Sequence, residues 1–378
     1  MNKLFLLVAI LILISCSKNN NENSTGAIGE INLEIDTVLV DSKGEVLMAG
    51  TYLSVFDLSE DKKYLYNFDP NTYQVEVIDL DKLEIHRKIQ LEIEGPNRIG
   101  DYPNYLFALG NSELAFSNYM TCVAVNLNGE KTFEFNLVKD RLESDSLKSN
   151  ESLYPDFLFI DGHKELYTMI ETFGQNITTI GLVNTSTKTL KRIEIPQLEK
   201  LKNFRVLWKN GNARSLKAPL VTMGIWDKKI LIANNTINEV IVYDPKSESI
   251  SVKTFESKLT PNQKTPNEKV EVGTIQEFMA GAIKLNEQIE FGKLNWDPIT
   301  KRFYRLSSIS LPRPEGVETY KADVFLTVFD EELNMLWERK LDGFTKSPVT
   351  TFFKDGAIWI HENLNDELGF IRIKVLEN

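Results

Sequence analysis

The chain has 378 residues, of which 42% are hydrophobic and 26% charged, and its formal net charge at pH 7 is −11. This length is sufficient for a large buried core. The chain is acidic and contains no dense cluster of lysine and arginine. Nucleic acid and an anionic lipid surface are therefore excluded as partners, because both require a basic face.

The first predicted element is a secretory signal at residues 1–15. One basic residue, Lys3, precedes an apolar run at 4–14, which is too short to span a bilayer because that requires roughly 20 residues. The tetrapeptide Leu-Ile-Ser-Cys at 13–16 resembles the lipobox of bacterial lipoproteins. The resemblance implies that Cys16 is acylated and becomes the mature N-terminus, anchored by lipid in the cell envelope at the outer membrane. An ordinary signal peptide with an incidental cysteine is the alternative.

Residues 16–29 follow as a polar, asparagine-rich tether. No second linker of this kind occurs, so residues 30–378 are predicted to form one domain. Once Cys16 is acylated only Cys122 remains, which excludes an intramolecular disulfide. Cys122 alternates with valine and alanine and is predicted to be a small buried hydrophobe. The three histidines are far apart and lack partners at metal-ligand spacing, so no metal site and no cofactor are predicted.

A repeated unit of strands fills the predicted domain. Residues 62–92 read as three alternating strands separated by turns, and 228–256 repeat this pattern. Weaker copies lie at 112–137, 164–195 and 301–341. Each copy is preceded by one more short apolar strand, and a sixth unit occupies the C-terminus. The strands before the last turn of each unit end at Asp79, Asn126, Asn184, Asp244 and Asp330.

Four strands per unit, repeated about six times, predict an all-β fold, a six-bladed β-propeller with four-stranded blades. The last unit supplies only three strands, so the alternating segment 30–41 is predicted to pair with it and close the ring. A large antiparallel sandwich, or two stacked β-domains, is the alternative. Residues 274–289 are predicted to form an amphipathic helix inside an insertion and to pack against the propeller.

With these units, the lipobox and the loop EGPNRIGDY at 94–102, the chain resembles the six-bladed, TolB-like β-propeller lipoproteins common in Bacteroidetes, including an uncharacterised family of about this length. The resemblance implies an envelope location and no established chemistry. Lys18 and Glu22 only partly match the acidic stretch of surface-displayed relatives, which leaves the surface and periplasmic sides open. Thr37 and Ser146 match the three-residue O-glycosylation pattern of this phylum.

No catalytic signature is found in the chain: it has no nucleophile elbow, no phosphate-binding glycine loop and no zinc-protease motif. The predicted function is therefore a non-enzymatic binding or protein-interaction module. The alternative is a propeller hydrolase or lyase that acts on envelope polysaccharide with an acid and a base from different blades. Ionisable groups with perturbed pKa values at the channel mouth would favour the enzyme, and an aromatic, apolar funnel would favour binding.

The longest predicted insertions leave from one face of the propeller and comprise 138–155, 196–218, 257–290 and 309–321. Long loops on a rigid scaffold are where binding residues concentrate. The predicted ligand contacts mix arginine with an aromatic residue; they are Arg205, Trp208 and Arg214, with Arg98 and Arg313 as weaker additions. They favour an anionic peptide, glycan or envelope protein as partner. The alternative is that Trp208 only packs its loop down.

Overall fold

The structure is a computed structural model that describes residues 32–376 except 111, 138–141, 143–146 and 313–320. The predicted signal and tether, with Cys16, lie outside the described residues, as do Ser146 and Arg313. Within the described part of the chain, no helix is long and apolar enough to cross a membrane.

The N-terminal half consists of one strand that pairs with the C-terminal half and three antiparallel sheets, here called sheets 1 to 3. In sheet 3 the first strand is divided into two short pieces that both pair with the next strand. The strands are β1 (Asn32–Leu39); in sheet 1, β2 (Phe56–Leu58), β3 (Tyr64–Asp69), β4 (Gln74–Asp79) and β5 (Glu84–Gln90); in sheet 2, β6 (Tyr105–Leu109), β7 (Glu113–Ser117), β8 (Thr121–Asn126) and β9 (Lys131–Asn136); and in sheet 3, β10 (Glu151–Leu153), β11 (Leu158–Phe159), β12 (Glu165–Thr172), β13 (Thr179–Asn184) and β14 (Thr189–Glu194).

The C-terminal half adds three four-stranded sheets, sheets 4 to 6, and a small sheet built from insertions. Its elements are a 3-10 helix (Pro196–Phe204), β15 (Val206–Asn210) and β16 (Ala213–Lys217); in sheet 4, β17 (Val221–Trp226), β18 (Lys229–Asn234), β19 (Glu239–Asp244) and β20 (Ser249–Thr254); then β21 (Glu271–Val272) and α1 (Ile275–Asn286); in sheet 5, β22 (Ile289–Asp297), β23 (Arg302–Ser310), β24 (Ala322–Phe329) and β25 (Met335–Lys340); and in sheet 6, β26 (Thr351–Lys354), β27 (Ala357–Leu364) and β28 (Glu367–Leu376).

The all-β prediction is confirmed, because the described chain is mainly a series of four-stranded antiparallel sheets. In sheets 1 to 5 the third strand leads into its turn through an Asp or Asn side chain that accepts hydrogen bonds from backbone N–H groups, as is usual for Asx turns. These acceptors and donors are Asp79 from Asp81 and Lys82 (3.1 Å each), Asn126 from Asn128 (2.9 Å), Asn184 from Thr187 (2.9 Å), Asp244 from Lys246 (2.8 Å) and Asp330 from Asn334 (2.7 Å).

Strand β1, which precedes sheet 1 in the chain, pairs antiparallel with β28 along its whole length, from Asn32 opposite Leu376 to Leu39 opposite Gly369. Sheet 6 therefore has the order β1-β28-β27-β26 and contains both ends of the described chain. Thr37 lies exposed in β1, opposite Ile371.

The core of the described residues consists of hydrophobic clusters that each lie between two consecutive sheets, including one between sheet 6 and sheet 1. Cys122 is fully buried in one of them, as predicted, and burial raises the pKa of its thiol to about 12. Each cluster contains buried residues of both sheets: Val77 and Phe116, Phe135 and Leu166, Ile180 and Ile241, Val240 and Phe329, Leu326 and Ile373, and Phe370 and Leu65.

The first strands of the sheets also approach one another. Strand β2 contacts β6, β11 contacts β17, and β22 contacts β26. The remaining neighbours are joined by side chains: the rings of Phe107 and Phe159 are 5.2 Å apart, and those of Trp226 and Trp296 are 5.5 Å apart. The entries to sheets 1 and 6 meet where the backbone N–H of Leu53 donates to the Thr350 hydroxyl at 3.1 Å.

Each antiparallel sheet has two ends, which define two faces of the molecule. We call the insertion face the end where the second turn and the link to the next sheet leave. We call the turn face the other end, where the first strand turns into the second, as at 59–63, 227–228 and 298–301.

The insertions before and after sheet 4 fold together on the insertion face. Strand β15 pairs antiparallel with β16 and parallel with β21, and α1 packs mainly on β15 and β21. Gly281 allows this approach, because a Cβ there would lie 3.3 Å from Val206. The helix predicted within 274–289 is present as α1, but it packs mainly on the small sheet and not, as predicted, against the propeller. The insertion predicted at 196–218 is present, and it folds into the 3-10 helix and the β15–β16 hairpin instead of a long loop.

Candidate functional site

A cavity of about 350 Å³ opens on the insertion face beside sheet 3. We call it the insertion-face pocket. Strand β12, the turn after it, the 3-10 helix and the link that leads into β17 form its walls. Its wall residues include Tyr154, Glu171, Phe173, Leu201, Leu216 and Leu220.

Phe173 forms part of the rim of this pocket from the turn between β12 and β13. Gly174 follows it with a φ of +76° and lies under Leu207 of β15, so the small sheet rests directly on this turn. Phe173 is nevertheless 51% exposed, and Leu220 across the pocket is 50% exposed. The guanidinium carbon of Arg214 lies 5.6 Å from the centre of the Phe173 ring, a cation–π contact that leaves most of the ring accessible.

Three tyrosines join the pocket to the first strand of sheet 2. The phenol oxygens of Tyr105 and Tyr154 are 2.9 Å apart, and the rings of Tyr119 and Tyr154 form an edge-to-face pair at 6.1 Å. Burial raises the pKa of Tyr105 and of Tyr119. These phenols therefore stay neutral at ordinary pH and can donate or accept hydrogen bonds.

Glu171 is the single charged residue in the wall of the insertion-face pocket. Burial raises the pKa of its carboxyl, opposed by contacts with Tyr119 and with the Ser152 hydroxyl, whose oxygen is 3.4 Å away. Among the described residues, no lysine, arginine or histidine lies within ion-pair distance of it. The pocket thus combines exposed aromatic surface with a carboxylate that lacks a cationic partner.

None of the described predicted contact residues lies in the wall of this pocket. Arg214 reaches it through Phe173, while Trp208 is half-buried in the β15–β16 pairing, opposite Ser215. Arg205 ends the 3-10 helix, and its Nε and Nη1 atoms are buried without a hydrogen-bond partner in the described part of the chain. Arg98 is exposed on the link between sheets 1 and 2. The structure brings Arg205, Trp208 and Arg214 into one small substructure.

Two carboxylates outside the pocket wall lie in or beside the first strands of sheets 1 and 3. Burial raises the pKa of Asp57 to about 6, although its oxygens accept hydrogen bonds from the backbone N–H groups of Leu58 (2.8 Å) and Ala108 (2.9 Å). Burial also raises the pKa of Asp156, and the charge of Lys293 acts against burial at both carboxyls. Asp57 therefore ties sheet 1 to sheet 2, while Asp156 has no hydrogen-bond partner among the described residues.

No group of three or more His, Cys, Asp or Glu residues in the described part of the chain could hold a metal ion. The residues that the sequence reasoning missed are Tyr105, Tyr119, Glu171 and Phe173. One signal was available: Tyr119 and Phe173 are large aromatic residues placed in turns between strands, where small polar residues are usual.

The sequence model of a domain of unknown function, DUF4221, matches residues 29–340 of the chain. A crystal structure of a DUF4221 family member from Bacteroides vulgatus ATCC 8482 is 16% identical, covers 93% of this chain and 100% of its own, and superposes with a TM-score of 0.68. That likeness shows the fold alone. A comparison with curated proteins finds no match.

Two further solved structures are much more distant. U3-55K is 8% identical over 89% of this chain and 98% of its own, with a TM-score of 0.43. The WD40 domain of Neurospora crassa Pan2 is 8% identical over 83% of this chain and 73% of its own, with a TM-score of 0.40. At these scores neither likeness bears on the fold or the function of this chain.

Proposed function

The chain belongs to the DUF4221 family, and on that premise we propose that it is a lipid-anchored lipoprotein of the bacterial cell envelope. In this proposal it acts as a non-enzymatic binding module, a six-bladed TolB-like β-propeller that holds a peptide or glycan in the insertion-face pocket. Cys16 carries the lipid, and the apolar run before it is the signal that is removed.

The arrangement of the core supports the propeller. Every pair of consecutive sheets encloses a hydrophobic cluster, and sheet 6 shares one with sheet 1 through residues such as Phe370 and Leu65. A sandwich would instead place its sheets in two layers around one shared core. The pairing of β1 with β28 supports closure of the ring, because it joins the first and last strands of the chain in one sheet.

One observation carries the binding function: the insertion-face pocket exposes large apolar side chains around a carboxylate that has no cationic partner. Phe173 and Leu220 are each about half exposed, and Tyr119 beside them is 44% exposed. A monomer has no packing reason to leave such a cluster open to water, and clusters of this kind mark recognition sites. The carboxylate and the phenols suit hydroxyl and amide groups, which peptides and glycans both carry.

The test uses the full-length chain with Cys16→Ser, screened against peptide and glycan arrays, with the affinity of each hit then measured by calorimetry. Phe173→Ala should weaken binding about thirtyfold, since truncation of an anchor residue costs about 2 kcal/mol. Glu171→Gln should weaken it as well, whereas Lys246→Ala, an exposed lysine in the turn between β19 and β20 that does not line the pocket, should leave it unchanged.

Normal binding by both Phe173→Ala and Glu171→Gln would show that the ligand is held elsewhere. The variants Trp208→Ala and Arg205→Ala then decide between the small sheet as the contact surface and Trp208 as a packing residue. In the second case Trp208→Ala lowers the melting temperature and the affinity of the remaining folded protein stays unchanged.

A hydrolase or lyase is the second candidate, and the carboxylates Asp57 and Asp156 favour it. A carboxyl with a pKa near 6 can act as a general acid close to neutral pH. The same protein incubated with envelope polysaccharide should then release reducing or unsaturated ends, and Asp156→Asn should abolish the release. Both oxygens of Asp57 are already engaged by backbone N–H groups, which is why we favour binding.

A further inference from the structure

A second cavity, of about 320 Å³, opens at the turn face. We call it the turn-face pocket. The first strands of four sheets contribute to its wall, with Leu58 from β2, Trp226 from β17, Trp296 from β22 and Phe353 from β26. Along β17 it is lined from Thr222 to Trp226, whereas the insertion-face pocket is lined by Val221 at the start of that strand. The predicted function does not use it.

The wall of the turn-face pocket is largely aromatic. The ring of Trp226 packs edge-to-face against Trp296 at 5.5 Å and against Phe303 at 5.3 Å, while Trp296 and Phe303 are 4.7 Å apart. Phe352 and Phe353 complete this side. The two indole rings are partly exposed and offer an apolar ligand group a rigid contact surface, and the three phenyl rings behind them are buried.

Two lysines also form part of this wall, and neither has a carboxylate within ion-pair distance in the described part of the chain. Lys62, in the turn after β2, places its ammonium 5.9 Å from the centre of the Phe353 ring. Burial lowers the pKa of Lys62, because the ammonium loses hydration in this position. An anion bound beside it would replace part of that hydration.

Lys293 reaches the pocket from an irregularity in β22. The register of β22 and β23 shifts between Phe291 and Leu294, so Gly292 and Lys293 form a bulge. A Cβ at Gly292 would clash with the carbonyl oxygen of Leu306, so glycine is required for this close approach. Bulges of this kind redirect side chains near functional sites.

The carboxylates whose charges act on the two lysines lie outside the pocket wall. For Lys293 they are Asp57 and Asp156, of which Asp57 is held by two backbone N–H groups. For Lys62 they are Asp297 and Asp355, and both are engaged by other groups. Asp297 accepts hydrogen bonds from the backbone of Ile299 (2.9 Å) and from the Thr300 hydroxyl (2.6 Å). Asp355 pairs with Lys354 at 2.6 Å. No Asp or Glu lines the turn-face pocket among the described residues, so its directly facing charges are both positive although the whole chain is acidic.

We propose that the turn-face pocket is a second binding site, for a small amphiphilic carboxylate whose apolar group packs on Trp226 and Trp296 and whose carboxylate is held by Lys62 and Lys293. This site is independent of the insertion-face pocket and of its ligand. The positive charges of the lysines and the aromatic wall together specify the ligand class. A purely apolar molecule would leave the lysines without an anion, and a cationic molecule would be repelled by them.

Octanoate, 1-octanol and octylamine are suitable probes, because they share one chain and differ in charge. Calorimetry on the full-length chain with Cys16→Ser should show binding of octanoate, weaker binding of octanol and none of octylamine. Lys62→Met and Lys293→Met should each weaken octanoate binding about tenfold, the usual worth of one charged hydrogen-bond donor. Neither change should affect octanol.

Lys301→Met is the matched control, because Lys301 also lies in a turn of the same face, with a φ of +52° against +56° for Lys62, and does not line the pocket. The affinity of the Lys301→Met variant for octanoate should equal that of the unchanged protein. Phe173→Ala in the insertion-face pocket should likewise have no effect, which separates this site from the first. Equal affinity for octylamine and octanoate, no octanoate binding at millimolar concentration, or normal binding by the Lys62→Met, Lys293→Met double variant would overturn the proposal.

Discussion

Arg305 of β23 is a buried cation that aromatic rings surround. It is 2% exposed, and its guanidinium carbon lies 5.0 Å from the ring centre of Phe291, 5.1 Å from that of Phe329 and 5.5 Å from that of Phe255. It also donates to the side-chain oxygen of Asn238. No carboxylate lies within ion-pair distance among the described residues. Burial lowers the pKa of the guanidinium to about 9, so the fold penalises its charge.

Arg305→Lys is therefore expected to destabilise the protein more than Arg305→Met. Lysine would leave a strongly hydrated point charge in the same apolar site, which costs about 3 kcal/mol of unfolding free energy, whereas methionine fills most of the volume without charge and should cost about 1.5 kcal/mol or less. Urea unfolding of the three proteins provides the comparison. An equal loss for both variants would mean that the guanidinium contacts themselves stabilise the fold.

The pH dependence gives the same comparison a second readout. Because the pKa of Arg305 is lower in the folded than in the unfolded state, the unfolded state binds more protons above about pH 9. The unfolding free energy of the unchanged protein should then rise relative to that of Arg305→Met as the pH increases from about 8 to about 10.

At the scale of elements, the position of a strand within its sheet decides how clearly its residue pattern identifies it as a strand. The middle strands are buried on both sides, as in β4, where five of the six residues are buried. The outer strands alternate, as in β9, where Phe133 and Phe135 are at least partly buried and Thr132 and Glu134 are exposed. The Asx residues at the ends of the third strands are therefore the clearest repeated signal, because every such turn needs a side-chain acceptor.

Strand β1 covers the outer edge of β28 and is held mainly by backbone pairing, since most of its side chains are exposed. Side chains add to it as well: Leu33 and Val38 pack against the hydrophobic clusters on the two sides of sheet 6. Arg372 binds the Asp36 carboxylate and lowers its pKa through that hydrogen bond, and the Arg372 guanidinium carbon lies 5.2 Å from the centre of the Trp359 ring.

Deletion of residues 32–39 should lower the melting temperature by more than about 5 °C and broaden the unfolding transition. The reason is that the deletion exposes the edge of β28 and removes one strand from a fold without a disulfide among its described residues. Ile35→Thr, which keeps the strand and changes one exposed side chain, is the control and should unfold like the full chain. A truncated protein that unfolds like the control would contradict the closed ring.

At the scale of the whole molecule, the proposed attachment to the membrane depends on one residue. Under that proposal Cys16→Ser removes the thiol that would accept the lipid, so the protein should be absent from the washed membrane fraction and should occur in soluble or unprocessed form. Fractionation followed by immunoblotting is the measurement, with Cys122→Ala as the control that leaves attachment unchanged. Mass spectrometry that finds an unmodified mature N-terminus in the natural protein would end the lipoprotein proposal.

Local residue patterns were sufficient to predict the class of fold and where each repeated unit of strands begins and ends. Period-2 alternation and recurrent Asx residues such as Asp79 and Asp244 are local signals, since a strand and the turn that ends it are specified by neighbours in the chain. The helix inside the insertion was also predictable, because its capping box, Thr274 with Glu277, lies within one turn. The β15–β16 hairpin also has a local signal, its two-residue Gly211-Asn212 loop. Its pairing with β21 was not predictable, because β21 follows about 60 residues later.

The tertiary structure alone decided the two pockets. Tyr105, Tyr119, Glu171 and Phe173 come from different sheets or turns, and nothing in their local sequence shows that they meet. The same holds for Lys62 and Lys293, which belong to sheets 1 and 5 and form a positive site in a chain of net charge −11. A net charge is a sum over all residues, whereas a binding site depends on which few charges the packing of the sheets brings together, and that packing is set by contacts between residues distant in the chain.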